Sequence, residues 1–300
     1  MVERVSTFGL GQSLLRSSMT VQSNYATASS QKASGLVTDT YGGLGARASS
    51  LISTEATTAQ LTTWQTDTQT ADDRVQSMYS AVGNIIDQLS SFRSTLSAAK
   101  SSDGSTDLNS TGSALMKDLA DLMNLQQDGR YLFAGGNTRT APVDTSTLAA
   151  ATVPYTADTS YYTGNSDQAS VRISAQQTIT YGVSANSTAF EQALRAANVA
   201  ANMTTSPMDQ NAVNEAYNLA TKAMDGLIAT QSALSTTSKR LEAAKTRQTN
   251  ALSLLDTMAS DIKSADVAQV SVKLSQYDTQ LQAAYSALAK VDSLSLVKYL

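Results

Sequence analysis

The sequence contains neither histidine nor cysteine, and these two absences exclude most kinds of enzyme site. Histidine is the most common general base, and the cysteine thiolate acts both as a nucleophile and as a soft metal ligand. Without cysteine no disulfide can form, which permits any compartment and indicates none. We therefore expect no catalytic residue, no metal site and no bound cofactor.

Charged residues are scarce, at 15% of the chain, and the net charge is -4. No run of lysine or arginine marks a basic surface, which argues against nucleic acid and anionic membranes as partners. No apolar run is long enough to cross a membrane, and residues 1–12 lack the basic and apolar regions of a signal peptide. We expect no membrane insertion and, for a secreted chain, a route that needs no cleaved signal peptide.

Proline occurs only three times, at Pro142, Pro154 and Pro207. Because proline interrupts helices, the regions on either side of this stretch can form long helices. Aromatic residues make up only 6% of the chain, so we expect thin, alanine-rich helical cores.

The strongest pattern is a heptad seam near the C-terminus. Its apolar residues alternate three and four positions apart: Val267, Val270, Leu274, Tyr277, Leu281, Ala284, Leu288 and Val291. A stripe this narrow is buried only against a second helix. A weaker N-terminal stripe has helical spacing and is expected to face it: Leu10, Leu14, Val21 and Tyr25. With Leu294 and Leu296 in the apolar chain end, we interpret this set as the helix-pairing and subunit interface.

Capping and turn signals predict where the elements begin and end. We expect the first helix to end at Ser34, before Gly35, and the second to begin near Arg47. A third is expected to reach Asp128-Gly129, a fourth to run from Phe190 to Asn202, and a last one to carry Pro207 in its first turn. Residues 131–188 alternate in a β pattern, and a break is expected between Ser260 and Ala265.

Together these patterns predict a mainly α fold, in which long antiparallel coiled-coil helices from both termini flank a small inserted β-rich domain. We predict five segments along the chain. They are a terminal helix and joint (1–43), the first part of a helical core (44–130), a β-rich outer domain (131–188), the second part of the core (189–262) and a C-terminal helix (263–300).

Three stretches resemble the bacterial flagellin superfamily, and the resemblance covers essentially the whole chain. ADVAQVSVKLSQYDTQLQAAYSALAKVDSLSLVKYL, at 265–300, is similar to the C-terminal helix of the family. QDGRYLFAGGNT, at 127–138, and the stretch at 161–190 resemble the hook-associated members more than filament flagellin. The sequence departs from many members of the family after Ser34-Gly35. Those members carry a longer acidic stretch followed by proline there, whereas this chain has only Asp39.

The resemblance implies export through the flagellar type III apparatus and assembly outside the cell, in the flagellum. It implies a structural subunit at the junction of hook and filament. The implied partners are further copies of the chain, another hook-associated protein, the hook protein, flagellin and an export chaperone. Two alternatives stay open. One is the filament subunit itself, and the other is an extracellular glycan-binding homologue in which Tyr155, Tyr161, Tyr162 and Tyr181 stack on sugar rings.

Overall fold

The computed structural model describes residues 7–101 and 107–293 of the chain. Most of them lie in six helices: α1 (Thr7–Ser34), α2 (Arg47–Ser101), α3 (Leu108–Met123), α4 (Thr188–Asn202), α5 (Gln210–Lys263) and α6 (Val267–Ser293). Short strands form two antiparallel hairpins, β1 (Gln126–Gln127) with β2 (Arg130–Tyr131), and β3 (Ala169–Arg172) with β4 (Thr178–Tyr181). The predicted mainly α fold with a small β region in its middle is confirmed.

The chain divides into two compact units. One comprises residues 1–59 and 252–300, and the other comprises residues 60–251. The long helices α2 and α5 each contribute to both units. The five segments proposed from the sequence remain predictions.

In the unit of residues 60–251, small residues determine how closely the helices approach. On α4 nearly every residue from Ala189 to Ala200 is buried. α3 and α4 approach closely, because a methyl group added at Gly112 would lie 2.5 Å from the backbone nitrogen of Ala201. α2 contributes larger apolar residues to the same core at helical spacing: Val75, Val82, Ile85, Leu89, Phe92 and Leu96. This is the thin helical core that the composition predicts.

Between α3 and α4 the chain is mostly irregular, and side-chain hydrogen bonds to the backbone fix its path. Asn124 donates to the carbonyl oxygen of Val143 at 2.8 Å and accepts from the N–H of the same residue at 3.0 Å. The rings of Phe133 and Phe190 meet edge to face, with centroids 5.5 Å apart. The middle of the chain is therefore less regular than its alternating pattern predicts, and the strands among its described residues are only the four short ones, β1 to β4.

Two helix ends differ from the sequence-based expectation. α3 ends at Met123, and Asp128 and Gly129 instead form the turn between β1 and β2, where both have positive φ (51° and 70°). α5 begins at Gln210, after Pro207, because the carboxylate of Asp209 accepts the N–H of Asn211 at 2.9 Å. The expected end of α1 at Ser34, the start of α2 at Arg47 and the break before α6 are all observed.

Candidate assembly surface

α1 and α6 pack against each other in antiparallel orientation, within the unit of residues 1–59 and 252–300. Gly11, near the start of α1, lies beside Val291, near the end of α6; a methyl group added at Gly11 would lie 3.8 Å from Val291 Cγ1. Further along, the side-chain amide of Gln22 donates a hydrogen bond to the hydroxyl of Tyr285. The pairing thus joins the two ends of the sequence over nearly the full length of both helices.

On α6 the predicted seam is the less exposed face of the helix, yet it is only partly covered. Val270 is buried, at 5% exposure, whereas Val267 in the first turn is exposed. The other described seam positions are half-buried: Leu274, Tyr277, Leu281, Ala284, Leu288 and Val291. Because α1 leaves these side chains only half-buried, the single chain leaves apolar surface accessible along this stripe.

On α1 the less exposed face includes part of the predicted stripe together with small residues. Two of the predicted residues, Leu14 and Val21, are half-buried, but Leu10 and Tyr25 are exposed. The face continues through residues that an apolar pattern does not select, namely Gly11, Ser18 and Ala28. Extending the three-four alternation through small residues would have identified them, because small side chains let two helices approach closely.

The last two predicted interface residues, Leu294 and Leu296, lie outside the described residues.

Several large apolar side chains of the α1–α6 pair are at least half exposed. The most exposed is Met19 on α1, at 62%, followed by Val272 on α6. Leu15 and Tyr285 share this property. Apolar side chains this exposed on a pair of packed helices are typical of a surface that another protein chain covers.

The two segments that lead into this helix pair are joined by backbone hydrogen bonds. Gly35 ends α1 with a φ of +72°, and its carbonyl oxygen accepts the N–H of Ala265 at 2.8 Å. The N–H of Val37 donates to the carbonyl oxygen of Lys263 at 2.8 Å. We call residues 35–37 and 263–265 the joint. Because the two segments of the joint are paired, α1 and α6 leave the neighbouring helices side by side.

A carboxylate on α2 forms hydrogen bonds to the joint and to the turn that follows α1. Glu55 accepts a hydrogen bond of 2.6 Å from the Lys263 ammonium and one of 2.7 Å from the Tyr41 hydroxyl. These two bonds, that of Lys263 first, lower the pKa of Glu55. The same hydrogen bonds raise the pKa of Lys263 and that of Tyr41. Through these side-chain contacts, Glu55 links α2 to the 3-10 turn Tyr41–Leu44 and to the last turn of α5.

The described residues offer no group of histidine, cysteine, aspartate and glutamate side chains that could bind a metal ion. Among them, no helix is long and apolar enough to span a membrane.

The tyrosines of the middle segment are used in packing. Tyr161 and Tyr181 are buried, and burial raises the pKa of Tyr161, whose hydroxyl donates to the carbonyl oxygen of Ala185 at 2.8 Å. The hydroxyl of half-buried Tyr162 donates to the carbonyl oxygen of Asn165 at 2.6 Å. Rings held in this way present little open face on which a sugar could stack.

Comparison with known proteins identifies the C-terminal part of the chain. Residues 217–300, which include most of α5 and all of α6, match the family described as the bacterial flagellin C-terminal helical region. No curated protein matches the sequence. The resemblance drawn from the seam of α6 is thereby confirmed.

Solved structures share the fold over most of the chain. A putative flagellar hook-associated protein from Vibrio parahaemolyticus matches with a TM-score of 0.59 and 16% identity, over 75% of this chain and 99% of its own. FlgL from Bacillus cereus matches with a TM-score of 0.56 and 15% identity, over 69% and 99%. Flagellar hook-associated protein 3 from Legionella pneumophila matches with a TM-score of 0.55 and 13% identity, over 70% and 98%.

Proposed function

We propose that this chain, a flagellin-like protein with the fold of flagellar hook-associated proteins, is a structural subunit of the bacterial flagellum at the junction of hook and filament. The single observation that carries the proposal is the half-covered seam of α6, next to the exposed apolar side chains of α1. An exposed apolar surface of this kind is typical of a site that further chains cover, because their binding removes apolar area from water. Its role is structural and involves no catalysis.

The α1–α6 pair is the proposed axial contact. Copies of the chain would place their pairs side by side and bury the seam residues that one chain leaves half-buried. The proposed partners are other copies of the chain, the hook protein and a second hook-associated protein on one side, and flagellin on the other. The chain would reach this position outside the cell through the flagellar export route, with the help of a chaperone.

A charge placed in the seam tests the proposal. We expect Leu281→Asp and Leu288→Asp to leave the chain folded and secreted but to prevent its incorporation into flagella. A carboxylate buried without a partner in every packed copy costs several kcal/mol per contact. Immunoblotting of sheared flagella would measure the incorporated protein, and immunoblotting of the culture medium would measure the secreted protein that is not incorporated.

Lys273→Asp, on an exposed position of the same helix, is the matched control and should be incorporated. Normal incorporation of the two seam variants would contradict the proposal. The amount of protein separates the junction role from the filament role. A filament subunit dominates sheared flagella, whereas a junction protein is a minor component.

A further inference from the structure

Two arginines on α5 form a basic surface with no carboxylate among the described residues that line it. Arg240 and Arg247 are exposed and lie seven residues apart, so they project from one face of the helix about 10 Å apart. With the β3–β4 hairpin they line a groove of about 220 Å³. The other lining residues are uncharged: Ile173, Gln177, Thr178, Ile179 and Ala243.

Both guanidinium groups are available for binding. Within the described part of the chain the ion pairs are Arg195 with Glu191 and Lys263 with Glu55, and neither involves this surface. A guanidinium offers five donors in a planar arrangement that matches a carboxylate. The sequence concealed this surface because two single arginines, separated by six residues, form no basic run.

A second groove, between α2 and α3, has the opposite charge. It has a volume of about 580 Å³, and its charged residues are Asp87 on α2 and Asp118 on α3. The largely buried rings and methyl groups of Phe92 and Leu115 form its apolar floor. An arginine side chain suits such a groove, because its aliphatic part can lie on an apolar floor while its guanidinium reaches the carboxylates at the rim.

The two grooves lie at different positions along the helices of the unit formed by residues 60–251. The Oγ of Ser238 on α5 donates to the Asp72 carboxylate on α2 at 2.7 Å, so the arginine surface lies near the level of Asp72. Asp87 is fifteen residues further along α2, which corresponds to about 22 Å. The arginines of one chain therefore cannot reach the acidic groove of the same chain, whereas those of a displaced second copy can.

We propose that the acidic groove between α2 and α3 of one copy binds the Arg240–Arg247 surface of a second copy. The occupant is another copy of this chain, since the charges are complementary and each copy carries both surfaces. A contact between two different surfaces repeats from copy to copy and adds a displacement of about 20 Å along the helices each time. The inference rests on the proposed structural role and adds a lateral contact between core helices to the contact of the terminal pair.

Cross-linking tests the contact directly, because the natural chain has no cysteine. A full-length chain with Asp118→Cys and Arg247→Cys carries only those two thiols and keeps Asp87 and Arg240 as a charge pair. We expect mild oxidation of the concentrated protein to give a ladder of disulfide-linked multimers, which high salt suppresses. The matched control combines Asp118→Cys with Glu242→Cys, on another face of α5, and should remain monomeric. Equal ladders from both variants, or no ladder from either, would overturn the proposal.

Charge reversal gives an independent readout by sedimentation. Arg240→Glu with Arg247→Glu should weaken self-association by at least about tenfold, and so should Asp87→Lys with Asp118→Lys. All four substitutions in one chain exchange the two charges and should restore association. Unchanged self-association in the double variants, or no recovery of self-association in the variant with all four substitutions, would refute the contact.

The test of the lateral contact can be separated from the test of the α1–α6 pair, because the charge-reversal substitutions leave α1 and α6 unchanged. Normal entry of the charge-reversed chains into flagella would refute the lateral contact and leave the proposed structural role intact. Failure of the wild-type chain to enter flagella would instead remove that role.

Discussion

At the scale of single residues, the irregular middle segment depends on buried polar side chains of α4. Glu191 is buried and accepts the N–H of Asp158 at 3.2 Å, while its neighbour Arg195 donates to the carbonyl oxygen of Tyr155 at 2.6 Å. The two side chains also form an ion pair of 3.1 Å. Desolvation raises the pKa of Glu191, against the opposing effects of the Asp158 N–H and of Arg195. The loop path thus depends on one buried charge pair.

We predict that Arg195→Met lowers the free energy of unfolding by about 3–5 kcal/mol at pH 7, because it leaves Glu191 buried without its cation. A carboxyl group whose folded-state pKa is raised favours the folded state below its ordinary pKa and loses that advantage as the pH rises through the folded-state pKa. The deficit should therefore be smaller at pH 4 than at pH 7. Urea unfolding at both values measures it.

Arg139→Met, at an exposed position, is the control and should change the free energy of unfolding by no more than about 0.5 kcal/mol. An Arg195→Met deficit of the same size at both pH values would mean that the lost packing, rather than the charge of Glu191, explains it.

At the scale of elements, the helices were predictable where apolar residues recur at helical spacing, as on α2 and α6. Positions at which small or polar residues determine the packing were not. Gly11 and Ser18 on α1 carry no apolar signal, although they lie on the face that includes Leu14. The start of α5 is set by the Asp209 cap, two residues after the Pro207 on which the prediction relied. The arginine groove depended on the tertiary placement of the β3–β4 hairpin beside α5, which spacing along one helix does not reveal.

The crossing of α3 and α4 leads to a prediction at this scale. Gly112→Ala should destabilise the protein by about 1–3 kcal/mol, because the added methyl group would meet backbone atoms of α4, at 2.5 Å from Ala201 N and 2.6 Å from Ala197 O. Gly83→Ala on α2 is the matched control. Its methyl group would meet only the flexible end of Gln231, so higher helix propensity should leave stability unchanged or raised by up to about 1 kcal/mol. Thermal unfolding compares the two, and equal effects would contradict the close crossing.

The joint should open in acid. The pKa of Glu55 is lowered, so the stability that its contacts contribute is present above the ordinary glutamate pKa and is lost as the pH falls through the folded-state value. We expect amide hydrogen exchange in residues 36–46, corrected for its intrinsic pH dependence, to lose protection below about pH 4. Glu55→Gln should show the low protection at every pH, and an unchanged acid transition in that variant would assign it to another group.

At the scale of the whole molecule, the two compact units differ in how they are stabilised. The unit of residues 60–251 contains most of the fully buried side chains, whereas the described residues that are buried on α1 and α6 are Ser18, Ala28 and Val270. In the isolated chain, we therefore predict that limited proteolysis removes the terminal helices first and leaves a fragment of about 45–260. Mass spectrometry of the products measures the boundaries. Termini as resistant as the core would indicate a self-contained bundle that needs no neighbouring chains.

Assembly should reverse that order of cleavage. Once neighbouring chains cover the seam, the terminal helices should become at least as resistant as the core, because binding to the folded state stabilises it. The same protease applied to sheared flagella provides the comparison.

The paired segments of the joint also determine how the terminal helices respond to twisting. A single covalent linker acts as a swivel, since rotation about its backbone bonds relieves any torque applied to it. Here Gly35 and Val37 are hydrogen-bonded to Ala265 and Lys263, so two antiparallel backbone segments connect the terminal pair to the beginning of α2 and the end of α5. Rotation of the pair would have to wind these two backbones around each other. A chain built in this way passes torque through its joint rather than losing it there, as the proposed position in a rotating flagellum requires.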